Sequence, residues 1–157
     1  MSNIVSENTN FKLMSGQKYV QINTNAWGWA DQVIFSKHEE LLSQEVDSYI
    51  IWGRGRAPKN DHEFRLLRYP ELEYPEYISA AVATRLDGKF GFHSVGPTRR
   101  LLNILDQIDP DVVHLHSLLD YFVNVEMLFE WLARNDCHVL WTLHDCWAFT
   151  GYCMHFT

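Results

Sequence analysis

The chain has 157 residues, 46% of them apolar, 21% charged and 14% aromatic, with a net charge of −7. That length suits one domain with a proper core, and that apolar fraction excludes disorder along the whole chain. Five Pro and eight Gly exclude collagen-like and Pro-rich classes, and the negative balance argues against a nucleic-acid binder, which would turn a basic face to phosphates.

Residues 1–17 are polar and aperiodic, and read as a flexible leader without the basic start and apolar run of a secretory signal. No run approaches the roughly 20 apolar residues that span a bilayer, so a cytoplasmic protein is expected. Three cysteines, Cys137, Cys146 and Cys153, are an odd count and do not suggest a disulfide framework.

Lys18 to Thr24 alternates Tyr19 and Gln21 with Val20 and Ile22 and then meets a polar turn, which predicts a first strand. From Ala30 the spacing turns helical, with Ile34 and Leu41 on one stripe and Val33 and Leu42 beside it. Asp47 to Trp52 predicts a second strand, completing a βαβ unit. Residues 54 to about 76 then break the rhythm: Arg54, Arg56, Lys59, Arg65 and Arg68 lie among Pro58, Pro70 and Pro75. This reads as a long, solvated loop, with a short helix from Ile78 to Leu86 after it.

Gly96-Pro97 opens an amphipathic helix, since proline suits the first helical turn. Leu101, Ile104, Leu105 and Ile108 form its stripe, and Pro110 ends it. Asp111 to His116 reads as a strand buried on both faces. Tyr121 to Ala133 predicts a helix with two apolar stripes, Phe122, Val125, Phe129 and Leu132 on one and Val123, Met127 and Trp131 on the other. His138 to Leu143 predicts a further buried strand. Alternation of this kind gives an α/β fold, a Rossmann-like parallel sheet with helices on both faces. The domain is expected over residues 18–157.

In such sheets ligands bind beyond the C-terminal ends of the strands. Three segments fall there: Asn25 to Trp29, His114 to Ser117, and His144-Asp145-Cys146. A turn with Gly28 could bring backbone N–H groups to a phosphate, although it lacks the glycine fingerprint of dinucleotide binders. His114 and His116, two apart on a strand, share a face, and with His144 they could form a metal site. The same spacing suits hydrogen-bonded structural histidines, and no metal or other cofactor is assigned. His144, just past a strand and beside Asp145, could donate to or accept from a ligand. Cys146 and Cys153 read as buried thiols, and Trp147, Phe149, Tyr152 and Phe156 as packing aromatics.

Three stretches in order, Ser48-Tyr49-Ile50-Ile51-Trp52-Gly53-Arg54, Pro110 to His116, and Val139 to Cys153 (VLWTLHDCWAFTGYC), carry a resemblance. They resemble the N-terminal domain of retaining family-four glycosyltransferases of the two-domain GT-B fold, the group that assembles bacterial capsule, exopolysaccharide and lipopolysaccharide. The resemblance runs from about Lys18 to Thr157. It implies an acceptor-side domain whose partner domain, absent from this chain, grips the nucleotide-sugar donor. It implies that His144 is the active-site histidine, hydrogen-bonded to the donor sugar, and that Asn25, Trp27 and Gly28 lie in the loop near the donor phosphate, with His116 and Asp145 beside the substrate. Where the family loop pairs small residues, this one has Gly28 between Trp27 and Trp29. The substrates implied are a nucleotide-sugar and a glycan or lipid-linked acceptor, with peripheral association at the inner face of the cytoplasmic membrane. The chain alone is expected to be inactive without its second domain or a partner chain. Two alternatives are a metal-dependent hydrolase using His114, His116 and His144, and a non-catalytic Rossmann-like binding module.

Overall fold

The computed structural model describes residues 13–25, 29–55, 62–65, 75–118 and 121–150. Five strands form one all-parallel sheet: β1 (Lys18–Asn25), β2 (Asp47–Arg54), β3 (Glu63–Arg65), β4 (Val112–Leu115) and β5 (His138–Trp141). Their spatial order is β3-β2-β1-β4-β5. The helices are α1 (Trp29–Ser43), α2 (Pro75–Asp87), α3 (Val95–Ile108), α4 (Val125–Arg134) and the single-turn α5 (Trp147–Thr150). The expected α/β, Rossmann-like architecture is the one observed.

The strand alternation decides which layer each residue joins. Val20, Ile22, Ile51, Val113 and Leu115 point to one face, where Leu101, Leu105 and Ile108 of α3 and Leu128 and Leu132 of α4 cover them. The opposite face carries Tyr19 and Val112, packed with Leu41 of α1, and Ile50 and Trp52, packed with Ile34 of α1. Tyr19 through Thr24 are all buried, because β1 is the central strand. Leu41 and Ile34 occupy the predicted stripe of α1, but His38 completes it, buried and bonded to Ser48 Oγ at 2.8 Å. Val33 and Leu42 lie outside that stripe and are exposed.

Several boundaries differ from the sequence reading. Inside the stretch read as loop, Glu63–Arg65 pairs with Ile50–Trp52 and adds a strand at the β2 edge. The helix after it begins at Pro75, not Ile78, because proline needs no N–H partner in a first turn. Residues 56–61 and 66–74 of that stretch lie outside the described residues. Arg54 stacks over the Tyr77 ring, 5.1 Å from its centre. Residues 13–17, read within the leader, form a turn tied to the end of α1, with Gly16 N–H donating to Glu45 O at 2.9 Å.

Helix α4 starts later than Tyr121. Tyr121 takes a left-handed backbone (φ 59°), and Asn124 caps the helix by accepting from Met127 N at 3.1 Å. Phe122 and Val123 are therefore buried ahead of the helix rather than on its stripes, and Phe129 is exposed. The predicted end of α3 holds: Asp109 adopts a left-handed C-terminal cap, bonding back to Leu105 O, and Pro110 follows.

The strand read as buried, from His138 to Leu143, is instead a short edge strand. It ends at Trp141, and Val139, Leu140, Trp141 and Leu143 are all exposed. Among the described strands it pairs with β4 alone, and Phe129 of α4 meets the Trp141 ring at 5.4 Å between centres. Among the described residues no helix is long and apolar enough to cross a membrane.

Candidate active site

The sheet order reverses between β1 and β4: the chain winds one way through β1, β2 and β3 and the other way through β4 and β5. At such a switch point the loops leave in opposite directions and open a crevice at the strand ends. The β1 and β4 ends are cross-braced there. Thr24 N–H and its hydroxyl both donate to Ser117 O at 2.9 Å, and Ser117 N–H donates to Asn23 Oδ1 at 3.2 Å. Asn25, the last residue of β1, accepts from Asn23 Nδ2 through its carbonyl at 2.8 Å. Its Oδ1 is buried without a hydrogen-bond partner among the described residues. Trp27 and Gly28 lie outside the described residues.

Beside the brace, on the α1 face of the sheet, is a polar cluster. The β1–β4 register sets Gln21 opposite His114. His114 Nδ1 meets the Tyr19 hydroxyl at 2.8 Å and its Nε2 meets Thr142 Oγ1 at 2.7 Å. His116, 3% exposed, places Nε2 at 3.3 Å from Gln21 Oε1 and Nδ1 at 3.1 Å from His144 Nε2. The His114 and His116 ring centres are 4.0 Å apart, and the His116 and His144 rings are near-parallel.

Burial drives the His114 and His116 rings neutral. His114 is held down to about 4, by burial first and then by His144 and Lys37. His116 is held down to about 3, by burial first and then by its two histidine neighbours. Burial also pushes the Tyr19 hydroxyl up to about 12. Tyr19, His114 and His116 thus present neutral donors and acceptors at pH 7, chemistry suited to hydroxyl groups.

The structure therefore brings His116 and His144 together and sets Asn25 at the end of the neighbouring strand. Asp145 points elsewhere: its Oδ1 accepts from Trp147 N–H at 2.9 Å and caps α5. The space enclosed by His116, Trp141, His144 and Trp147 is only about 10 Å³, room for one water and not for a sugar.

No family model matches the chain. It is similar to WcaC. That protein, from Escherichia coli (strain K12), is assigned as a putative colanic acid biosynthesis glycosyl transferase, and is 26% identical over 135 residues. The match covers 82% of this chain and 33% of WcaC, so the chain spans about a third of the length of the curated relative it matches. The likeness supports a glycosyltransferase.

The metal-hydrolase alternative finds no such support. Among the described residues no group of three or more His, Cys, Asp or Glu is arranged to hold a metal ion. His116 and His144 turn ring nitrogens toward each other rather than toward a common point. Cys137 and Cys146 are half-buried thiols, and burial raises the Cys137 thiol; Cys153 lies outside the described residues. Trp147 is buried against Phe90 and against Gly91, whose φ of 86° and close approach to the indole both favour glycine.

Sequence reasoning missed Tyr19, Gln21 and Thr142. A signal for the first two existed. They share one strand face by alternation, as His114 and His116 share another, and parallel pairing of the two strands merges the four.

Proposed function

We propose that this chain is the acceptor-side domain of a retaining, family-four, GT-B glycosyltransferase that moves a sugar from a nucleotide-sugar donor to a growing glycan or lipid-linked acceptor. The observation that carries this reading is the placement of His144 and its neutral partners at the switch point between β1 and β4. The likeness to WcaC, a putative colanic acid biosynthesis glycosyl transferase, supports glycosyl transfer in general.

In this reading His144 hydrogen-bonds a sugar hydroxyl and holds the anomeric carbon in register with the acceptor. Orientation of this kind is a large part of any two-substrate rate. Asn25, Trp27 and Gly28 serve the donor phosphate, as the resemblance implies, with His116 and Asp145 behind His144. Neutralisation of the leaving diphosphate, usually the main electrostatic term, falls to a second domain, since WcaC is about three times as long as the region matched. The 157-residue chain by itself is then inactive. The enzyme works in the cytoplasm, peripheral to the membrane that carries the acceptor.

The test is product formation. The native gene product is incubated with a panel of nucleotide-sugars and with lipid-linked glycan, and the glycan is weighed by mass spectrometry. A product one sugar heavier is expected. No extension with any donor, or rapid transfer by the 157-residue chain alone, overturns the proposal.

A further inference from the structure

Away from the histidine cluster, α4 and the end of β5 border a second concavity, of about 380 Å³. It lies on the opposite face of the sheet. The register sets Trp141 beside Leu115, which packs in one cluster with Leu128 of α4. Phe90, Phe92, Phe129, Trp141 and Trp147 line the groove, and Glu126 is the single charge among its described lining residues. Small-molecule sites commonly enclose about 300–1,000 Å³, with apolar walls and a few placed polar groups.

Three of these rings are open to solvent: Phe92 at 42%, Phe129 at 39% and Trp141 at 37%. The Trp141 ring is nevertheless held in place. Its Nε1 donates to His116 O at 3.1 Å, and Phe129 leans on it with an interplanar angle of 51°. A ring anchored at its edge offers its face to a ligand at low entropic cost. Trp147 is buried, and its Nε1 has no hydrogen-bond partner among the described residues. An unmet N–H and a carboxylate are foreign to a plain core pocket. They suit a ligand with an apolar face and a hydroxylated edge, which is the character of a pyranose ring. The negative Glu126 disfavours a phosphate or a uronic acid. Trp141 and Trp147 also line the small space against His144, so the groove continues from the candidate active site.

We propose that this groove binds an uncharged pyranose unit of the glycan acceptor, with the sugar's C–H face on Trp141 and Phe129 and a hydroxyl donating to Glu126. The role as acceptor rests on the glycosyltransferase reading; the binding of a neutral sugar rests on the groove alone. The shared wall of Trp141 and Trp147 then sets the bound glycan beside His144. Selection against acidic sugars falls to Glu126.

The test is saturation-transfer NMR on the intact chain with methyl galactopyranoside, methyl glucopyranoside and methyl glucuronide at millimolar concentration. Transfer to the ring C–H protons of at least one neutral glycoside is expected, with weaker binding of the glucuronide. Trp141→Ala and, separately, Phe129→Ala should each weaken neutral binding by up to about tenfold, the scale of one aromatic contact. Both sites are exposed, and circular dichroism checks the fold, so either variant serves if the other fails to fold. Glu126→Gln should bring glucuronide binding up toward the neutral level. No transfer to either neutral glycoside overturns the proposal, as does neutral binding unchanged in the folded aromatic variants. A glucuronide bound by the wild-type chain as tightly as the neutral sugars does the same. Aromatic signals that shift with protein concentration and not with sugar would put a second copy in the groove, and also overturn it. Binding is read here without turnover, so a native gene product that binds neutral sugar but transfers none would strike the functional reading and leave the groove standing.

Discussion

The His114 and His116 rings lie 4.0 Å apart, centre to centre, on the α1 face of β4. Both are neutral in the folded chain at pH 7, with pKa values lowered to about 4 and about 3 from the ordinary 6.5. The sign follows from proton uptake. Below pH 6.5 the unfolded chain binds protons that the folded chain refuses, so stability falls as pH drops from 6.5 toward 4 and 3. Above 6.5 these rings add no pH dependence. His38, lowered mainly by burial, adds to the same slope. Glu76, lowered by its bond to Arg100, loses its contribution only as pH falls below the usual carboxylate range. Each ring that refuses its proton weakens the fold by about 1.4 kcal/mol for every pH step of one below its ordinary value. A loss of a few kcal/mol is therefore expected between pH 7 and pH 4.5, read as a falling urea midpoint. A midpoint flat from pH 7 to pH 5 contradicts neutral burial of these rings.

Gly53 is fixed by contact rather than by turn geometry. A Cβ there would meet Phe122 Cγ at 2.8 Å and Thr24 O at 2.9 Å. Phe122 is fully buried, and Thr24 is part of the brace at the switch point. Gly53→Ala should destabilise by about 1–3 kcal/mol, the usual cost of overpacking, in urea denaturation. A midpoint equal to wild type would mean that the β2 end is looser than described.

Asn124 ties three elements at once. Its Oδ1 accepts from Met127 N, its Nδ2 donates to Phe92 O, and its N–H donates to Thr98 Oγ1. Asn124→Ala removes the cap of α4 and leaves a part-buried carbonyl unpaired. The expected loss is about 1–3 kcal/mol, whereas Asn124→Asp, which keeps the cap, should lose less. Equal losses in the two variants would deny the cap its role.

From the sequence, the helix from Tyr121 to Ala133 and the aromatic tail are expected to make the domain sticky; the tail beyond Thr150 lies outside the described residues. Among the described residues, exposed apolar side chains run along β5 and beyond, at Val139, Leu140, Trp141 and Leu143, and along α2, at Ile78, Val82 and Leu86. An unpaired apolar edge invites strand-to-strand association. The double variant Val139→Lys, Leu143→Lys should lower hydrophobic-dye binding and self-association while changing stability by only about 0.5 kcal/mol or less, as exposed sites do. Unchanged dye binding would place the sticky surface elsewhere.

Much of the fold was legible because β1, β2 and β4 announce themselves by composition, and because Pro97 and Pro110 bracket α3. What was not legible depended on tertiary contact. β3 has three residues and exists through the β2 edge it pairs with. The start of α4 depends on the left-handed backbone of Tyr121, which no apolar spacing encodes. β5 has the composition of a core strand, but its position in the sheet leaves it at an edge. In the site, His116 and His144 were legible as strand-end histidines. Gln21 was not, since a glutamine alternating with apolar residues reads as solvent-facing until the strand is known to be central.

The most direct measurement of the central claim, that His144 serves sugar transfer at the switch point, is the transfer rate of the native gene product with and without His144→Ala. Circular dichroism and the urea midpoint serve as the check on folding. The account predicts an intact fold and a rate lower by roughly 10²-fold or more, the scale of losing a positioned hydrogen-bonding group at a reacting centre. An intact fold with an unchanged rate would remove His144 from the site and contradict the account.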